Sequence, residues 1–283
     1  MGKSRTWVGI ALTCWAISSP GLALAAPADP PTLAEARRLY NQGRFDAAIE
    51  AATPVLAAPE QGAEAQLVIG RSALERFRQT ADPADLTRAR EALRQADAWL
   101  LDTRDRLDLQ VGLAEALYLE ESFGAAADLF DSVVDRADEL GPRARDQLLD
   151  WWATALDRHA QVLPTRQRPA VYERIRAGMT RQLQRDPGSG AAAYWMAASA
   201  RVAGDLDRAW DAAQAAWVRM QLMPDLGAGL RPDLDRLVLQ GIIPDRARRL
   251  TGQQDLEQAI TGMAAEWEAF KQRWEDPRAV RAP

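Results

Sequence analysis

Cysteine, histidine and lysine are nearly missing from these 283 residues. Cys14 is the single cysteine and His159 the single histidine, so an intrachain disulfide is excluded and no pair of Cys or His side chains exists to share a metal ion. Lysine occurs only at Lys3 and Lys271. The other basic side chains are arginines interleaved with Asp and Glu, and the formal net charge is −5. Such a chain lacks the clustered positive field that nucleic acid requires, and the arginine preference reads as compositional. Missing too is a convergent set of nucleophile, base, metal ligand or phosphate cradle. The sequence therefore implies a non-catalytic protein with no cofactor and no metal.

What is present is ordinary for a folded protein, with 47% apolar and 27% charged residues. The first 25 residues read as a secretory signal. Lys3 and Arg5 precede an apolar run from Trp7 to Ile17, and Ala23-Leu24-Ala25 supplies a small-x-small cleavage site before Ala26. The run is too short to span a bilayer as a helix, and the mature chain is expected to have no transmembrane segment. Acylation on Cys14 is disfavoured by Thr13, which stands where such signals want a small residue. Cleavage after Ala25 removes Lys3 and Arg5, takes the net charge from −5 to −7, and leaves a cysteine-free protein that must rely on packing. Expected localisation is periplasmic or secreted. Residues 26–31 read as a Pro-rich leader, 32–222 as an array of helix pairs and 223–283 as a C-terminal helical cap.

The organising stretch is Asp186 to Trp217. Two apolar helical segments flank a short Ala-Gly-Asp turn, and small residues recur where the helices would touch, at Ala193, Ala197, Ala200, Ala209, Ala213 and Ala216. Antiparallel helices joined by so short a turn pack about 8 to 10 Å apart, and small side chains permit the close end of that range. The same hairpin recurs upstream. Ala36, Leu39 and Tyr40 precede the turn Gln42-Gly43-Arg44, and Phe45, Ala48, Ile49 and Val55 follow it, with Pro54 kinking or ending the second helix. A second pair carries Leu67, Ile69, Gly70, Ala73 and Leu74, then an extended polar turn over 79–85, then Ala89, Leu93 and Ala96 running towards Trp99. A third carries Leu113, Ala114 and Leu117, the turn Glu120-Glu121-Ser122, and Phe123, Ala126, Phe130 and Val133. Gly141-Pro142 starts a long helix with Leu148, Leu149, Trp151, Trp152 and Leu156, whose companion holds Tyr172, Ile175, Met179 and Leu183. Beyond Met220, the residues Pro224, Gly227, Gly229 and Pro232 mark a loop. Short helices near Leu234 and Ile243 follow, then an amphipathic one over about 254–274.

This spacing resembles the tetratricopeptide repeat, a family of 34-residue helix-turn-helix units. Ala197 matches its small residue on the first helix, Gly204 its turn glycine, Leu206 the large apolar residue after it, and Ala209 its alanine on the second helix. The resemblance implies an all-α fold, an α-solenoid of about five hairpins closed by a helical cap. It also implies a groove, lined by the first helix of each pair, that binds a protein or peptide. Carried over residue by residue, the partner-binding positions are Arg37, Tyr40 and Asn41 in the first unit, Arg71, Leu74 and Glu75 in the second, Glu115 and Tyr118 in the third, and Tyr194 and Arg201 in the fifth.

Other features read as structural. Asp102, Asp105 and Asp108 alternate with Arg104 and Arg106, and Asp131, Asp135 and Asp138 face Arg136, as solvated, self-compensating helix surfaces; neither run has the central glycine of a calcium loop. Pro187-Gly188-Ser189-Gly190 lies between helices and reads as a linker rather than a phosphate loop. Trp195, Trp210 and Trp217 read as packing residues. Adjacent Trp151 and Trp152 point about 100° apart and cannot both be central to one interface. The alternative function from a different class is a solute-binding accessory subunit of an envelope transport or assembly system, in which Trp151, Trp152 and Trp195 line an apolar cavity.

Overall fold

The computed structural model describes residues 32–221, 224–250 and 255–275. The chain divides into two units, 1–30 and 31–283, and every described residue belongs to the second. The signal and leader read from the sequence lie outside the described residues, as does Cys14.

Every regular element among the described residues is helical: α1 (Leu33–Asn41), α2 (Phe45–Ala52), α3 (Gly62–Thr80), α4 (Pro83–Gln95), α5 (Thr103–Leu119), α6 (Phe123–Val134), α7 (Pro142–Val162), α8 (Arg168–Arg185), α9 (Gly190–Val202), α10 (Leu206–Gln221), α11 (Pro224–Leu237), α12 (Ile243–Leu250) and α13 (Leu256–Trp274). Polar side chains stop the first-turn N–H groups from being orphaned. Thr32 accepts from Glu35 N–H, Asp82 from Ala84, Asp102 from Asp105 and Ser189 from Ala192. Pro83 and Pro142 occupy first-turn positions where a missing N–H costs nothing.

Three corners are built alike. After α1, α5 and α9 the chain turns through a residue with positive φ: Gly43 at 73°, Glu121 at 60° and Gly204 at 77°. At each, the next amide reaches back to the helix, Arg44 to the Leu39 carbonyl at 3.0 Å, Ser122 to Leu117 at 2.9 Å and Asp205 to Ala200 at 3.0 Å. These bonds satisfy carbonyls that a helix end leaves open. Five residues beyond each positive-φ position stands a fully buried alanine, Ala48, Ala126 or Ala209, and seven before it another, Ala36, Ala114 or Ala197. All six small residues expected at the α9–α10 contact are buried.

Each helix from α1 to α11 packs on its chain neighbours, and α1 also packs on α3, α3 on α5, α5 on α7, α7 on α9 and α9 on α11. Among the described residues no even-numbered pair up to α10 is packed to a comparable extent. Each odd-numbered helix up to α11 therefore touches the next odd-numbered one. Their interior divides into an aliphatic cluster under α1–α5, a mixed cluster around α5–α9 and an indole-rich cluster under α9–α13.

Several local expectations need correcting. The extra residues near 79–85 do not form a long turn, because α3 continues to Thr80 and only Ala81, at φ 56°, and Asp82 separate it from α4. Helix α4 stops at Gln95, short of Trp99, which sits in a turn. The supposed loop around Pro224, Gly227, Gly229 and Pro232 is helix α11, with Pro232 inside it. Proline there removes one ladder hydrogen bond, while burial of Leu234 and Val238 against α9 and α10 compensates. Gly178 lies against the Trp152 indole, a position from which the sequence pattern selected no glycine.

Candidate functional site

The candidate site is drawn from residues of α1, α3, α5, α7 and α9, helices that pack on one another in order. Its chemistry begins on α1, where Arg37 pairs with Glu64 of α3 at 2.9 Å and Asp105 of α5 at 2.5 Å. Tyr40 is half-buried beside the Phe45 ring, centroids 5.7 Å apart, and burial raises its hydroxyl pKa against the opposing effect of Arg71. Asn41 is exposed at the end of the helix.

Next comes a buried ionic knot. The Glu115 carboxylate, 1% exposed, accepts from Arg71 at 2.6 Å and from Arg78 at 2.9 Å, and Arg71 also lies 3.4 Å from Asp108. Burial pushes the Glu115 carboxyl up, offset by the two guanidinium groups; burial disfavours charge on Arg71, and Glu115 and Asp108 outweigh it, so Arg71 is held protonated well beyond its ordinary range. Gly112 makes room for this, since a Cβ there would sit 3.1 Å from Arg71 Cδ. Arg78 then lies over the Trp151 ring, 4.2 Å from its centroid, and carries the network onto α7.

Further along, Trp195 donates to Asp150 at 2.9 Å and Tyr172 to Asp157 at 2.7 Å. Tyr194 is half-buried against the edge of Trp195. Burial first, then the nearby Asp233, Asp150 and Asp157 carboxylates, push its hydroxyl pKa up to about 12. Arg201 pairs with Asp245 at 2.7 Å and borders a cavity of about 200 Å³ with Tyr194, Asp233 and Gln240.

Of the positions expected to line a groove, Arg37, Tyr40, Glu75, Tyr118, Tyr194 and Arg201 are half-buried and Asn41 is exposed. Tyr118 packs on Phe123 at 5.4 Å, repeating the Tyr40–Phe45 pair at the equivalent corner. Three positions lie deeper than expected. Leu74 is 0% exposed in the aliphatic core, and Arg71 and Glu115 are consumed by each other. The resemblance to the tetratricopeptide repeat put them in a groove, but Leu93 of α4 covers both Gly70 and Gly112, and Gly112 lies against the Arg71 stem, so this seam is closed.

The charged residues pair differently from the self-compensating helix surfaces expected of them. Asp105 and Asp108 pair with Arg37 and Arg71, and Asp131 and Asp135 with Arg174 and Arg185, all across helices, while Asp102 caps α5. An i to i+4 charge rule cannot show cross-helix partners. Trp152 is the buried member of its pair, donating to Asp131 at 2.6 Å, and Trp151 is the half-buried one under Arg78. His159 covers Gly124, with 3.0 Å from its ring to where a Cβ would stand.

Among the described residues no group of His, Cys, Asp and Glu side chains is arranged to hold a metal ion, and no helix is long and apolar enough to cross a membrane. No family model matches the chain, and no curated protein matches it.

Proposed function

We propose that this chain is an exported helical-repeat scaffold of tetratricopeptide type whose odd-numbered helices form the inner wall of an α-solenoid and hold an extended protein or peptide segment. One observation carries the reading: the same corner, with matched φ values, back-bonds and buried alanines, recurs after α1, α5 and α9 while successive odd-numbered helices pack on one another. Stacking of that kind is how repeat arrays build an extended binding surface. The positions available to a partner are Arg37, Tyr40, Asn41, Glu75, Tyr118, Tyr194 and Arg201; tyrosine and arginine are the types that most often dominate interface energy. Arg71, Leu74 and Glu115 support the wall from behind. Export, periplasmic or extracellular, rests on the N-terminal sequence alone.

The test is selection of peptides from a random display library, followed by affinity measurement on Tyr40→Ala and Tyr118→Ala chains. The reading expects each variant to bind the selected peptides at least about tenfold more weakly. Peptides that bind parent and both variants equally would remove this face from consideration. The solute-cavity alternative draws no support from the tryptophans expected to line its pocket: Trp152 fills the space over Gly178, and Trp152 and Trp195 are hydrogen-bonded packing residues.

A further inference from the structure

Trp99 is 90% exposed, the most exposed large apolar side chain among the described residues, and its neighbour Leu100 is 55% exposed. The turn that carries them is held in place. Trp99 N–H donates to Asp97 Oδ1 at 2.9 Å, Leu100 N–H to the Asp97 carbonyl at 3.1 Å, Leu101 is buried, and Asp102 caps α5 at 2.7 Å. A fixed apolar knob of this kind loses little conformational freedom on docking, which is the condition for an efficient anchor. Between α4 and α5 the turn carries two carboxylates, Asp97 and Asp102, and no cation; Arg94 and Arg104 belong to the flanking helices. Its complement is therefore an apolar pocket with a basic rim.

The chain has such a pocket. A cavity of about 410 Å³ opens between the start of α8 and the end of α9, walled by Pro169, Tyr172, Val202 and Ala203, a volume within the range of cavities that seat small ligands and side-chain anchors. Arg168 and Arg176 stand at its edge; Glu173, the one carboxylate there, is paired with Arg176. Arg168 is fixed by donating to the Leu163 and Gln161 carbonyls at 3.1 and 3.2 Å. Val202 and the nearby Val162 are exposed at 48% and 76%.

We propose that the Trp99–Leu100 turn of one copy docks into the α8–α9 cavity of a second copy, with Asp97 and Asp102 facing Arg168. The two surfaces differ, so one such contact leaves a second knob and a second cavity free. The assembly closes as a pair if two such contacts fit one two-fold axis, and otherwise propagates head to tail.

Sedimentation equilibrium on the purified protein tests this with Trp99→Ala, which removes the knob, and Val202→Arg, which fills the cavity and adds like charge to its rim. Both positions are exposed, and circular dichroism checks that helix content is unchanged. The proposal expects the parent to associate with rising concentration and each variant to associate about thirtyfold more weakly or less, the loss expected for a dominant anchor. An equimolar mixture of the variants should associate more strongly than either alone, through the single contact that remains, because the Val202→Arg chain keeps the knob and the Trp99→Ala chain keeps the cavity. A monomeric parent, a Trp99→Ala chain that associates like the parent, or a mixture that stays dissociated overturns it.

Discussion

The two ends of the described array solve the same packing problem with opposite materials. Under α1–α5 the interior is Ala, Leu, Ile and Val, helices approach at glycine, and the seam is closed by ions: a Cβ on Gly70 would lie 2.6 Å from Leu93 Cγ, and Arg71, Glu115 and Arg78 knit α3 to α5. Under α9–α13 the spacing is filled by rings. Trp267 lies 5.9 Å from Trp210, 5.8 Å from Trp217 and 5.7 Å from Phe270, donates to Asp235 at 2.7 Å, and the Lys271 ammonium sits 5.2 Å over Trp217. The first end gains orientation at the cost of desolvating charge. The second gains apolar area, roughly 150–250 Å² per aromatic side chain, without buried ions of that kind.

The largest expected effect breaks the aromatic end. Trp267→Ala removes a fully buried indole that α10, α11 and α13 share, and chemical denaturation should show a loss of about 3–5 kcal/mol. Preserved stability would mean that α13 is not docked on α10. At the ionic end, Glu115→Ala leaves Arg71 buried with only Asp108 nearby and should cost about 3 kcal/mol or more. The double change Arg71→Met with Glu115→Leu sharpens the comparison. It should recover most of that loss, since an apolar pair of similar volume avoids the desolvation cost.

These contrasts explain what could be read from the sequence. The corners at Gly43 and Gly204 and the alanines facing them were legible because close helix crossing demands small residues and a left-handed turn favours glycine. Positions carried over from the tetratricopeptide resemblance say nothing of depth: Arg71, Leu74 and Glu115 lie beneath the surface. Depth depends on tertiary packing: Leu93 of α4 covers Gly70 of α3 and Gly112 of α5, and Gly112 meets the Arg71 stem, contacts between residues distant in sequence. The C-terminal helices were least legible. Pro232, with three glycines and prolines before it, signals a loop locally, and only tertiary contact with α9 and α10 keeps α11 helical.

A pH dependence tests the burial of Tyr194. Tyr194 holds its proton to about 12 against an ordinary value of 10.0, so between those values the unfolded chain has released a proton that the folded chain retains. Stability is fully present below pH 10 and falls as pH rises towards 12, with a slope no steeper than about 1.4 kcal/mol per pH unit from this group. Alkaline melts should lose part of that slope in Tyr194→Phe, and an identical slope would place Tyr194 in solvent. The smallest effect concerns the corners. Glu121 alone of the three holds positive φ with a side chain, so Glu121→Gly should raise stability by up to about 1 kcal/mol, whereas the same turn at Gly43 and Gly204 has nothing to gain.

The claim on which the account rests, that a partner lies along the odd-numbered helices, is tested most directly by site-specific photo-crosslinking. A photoreactive residue placed at Asn41 on α1 or Tyr118 on α5, compared with one at Glu91 on the exposed surface of α4, should capture the same partner in extract of the source cells from the first two sites and not from the third. Capture from Glu91 with none from Asn41 or Tyr118 would contradict it.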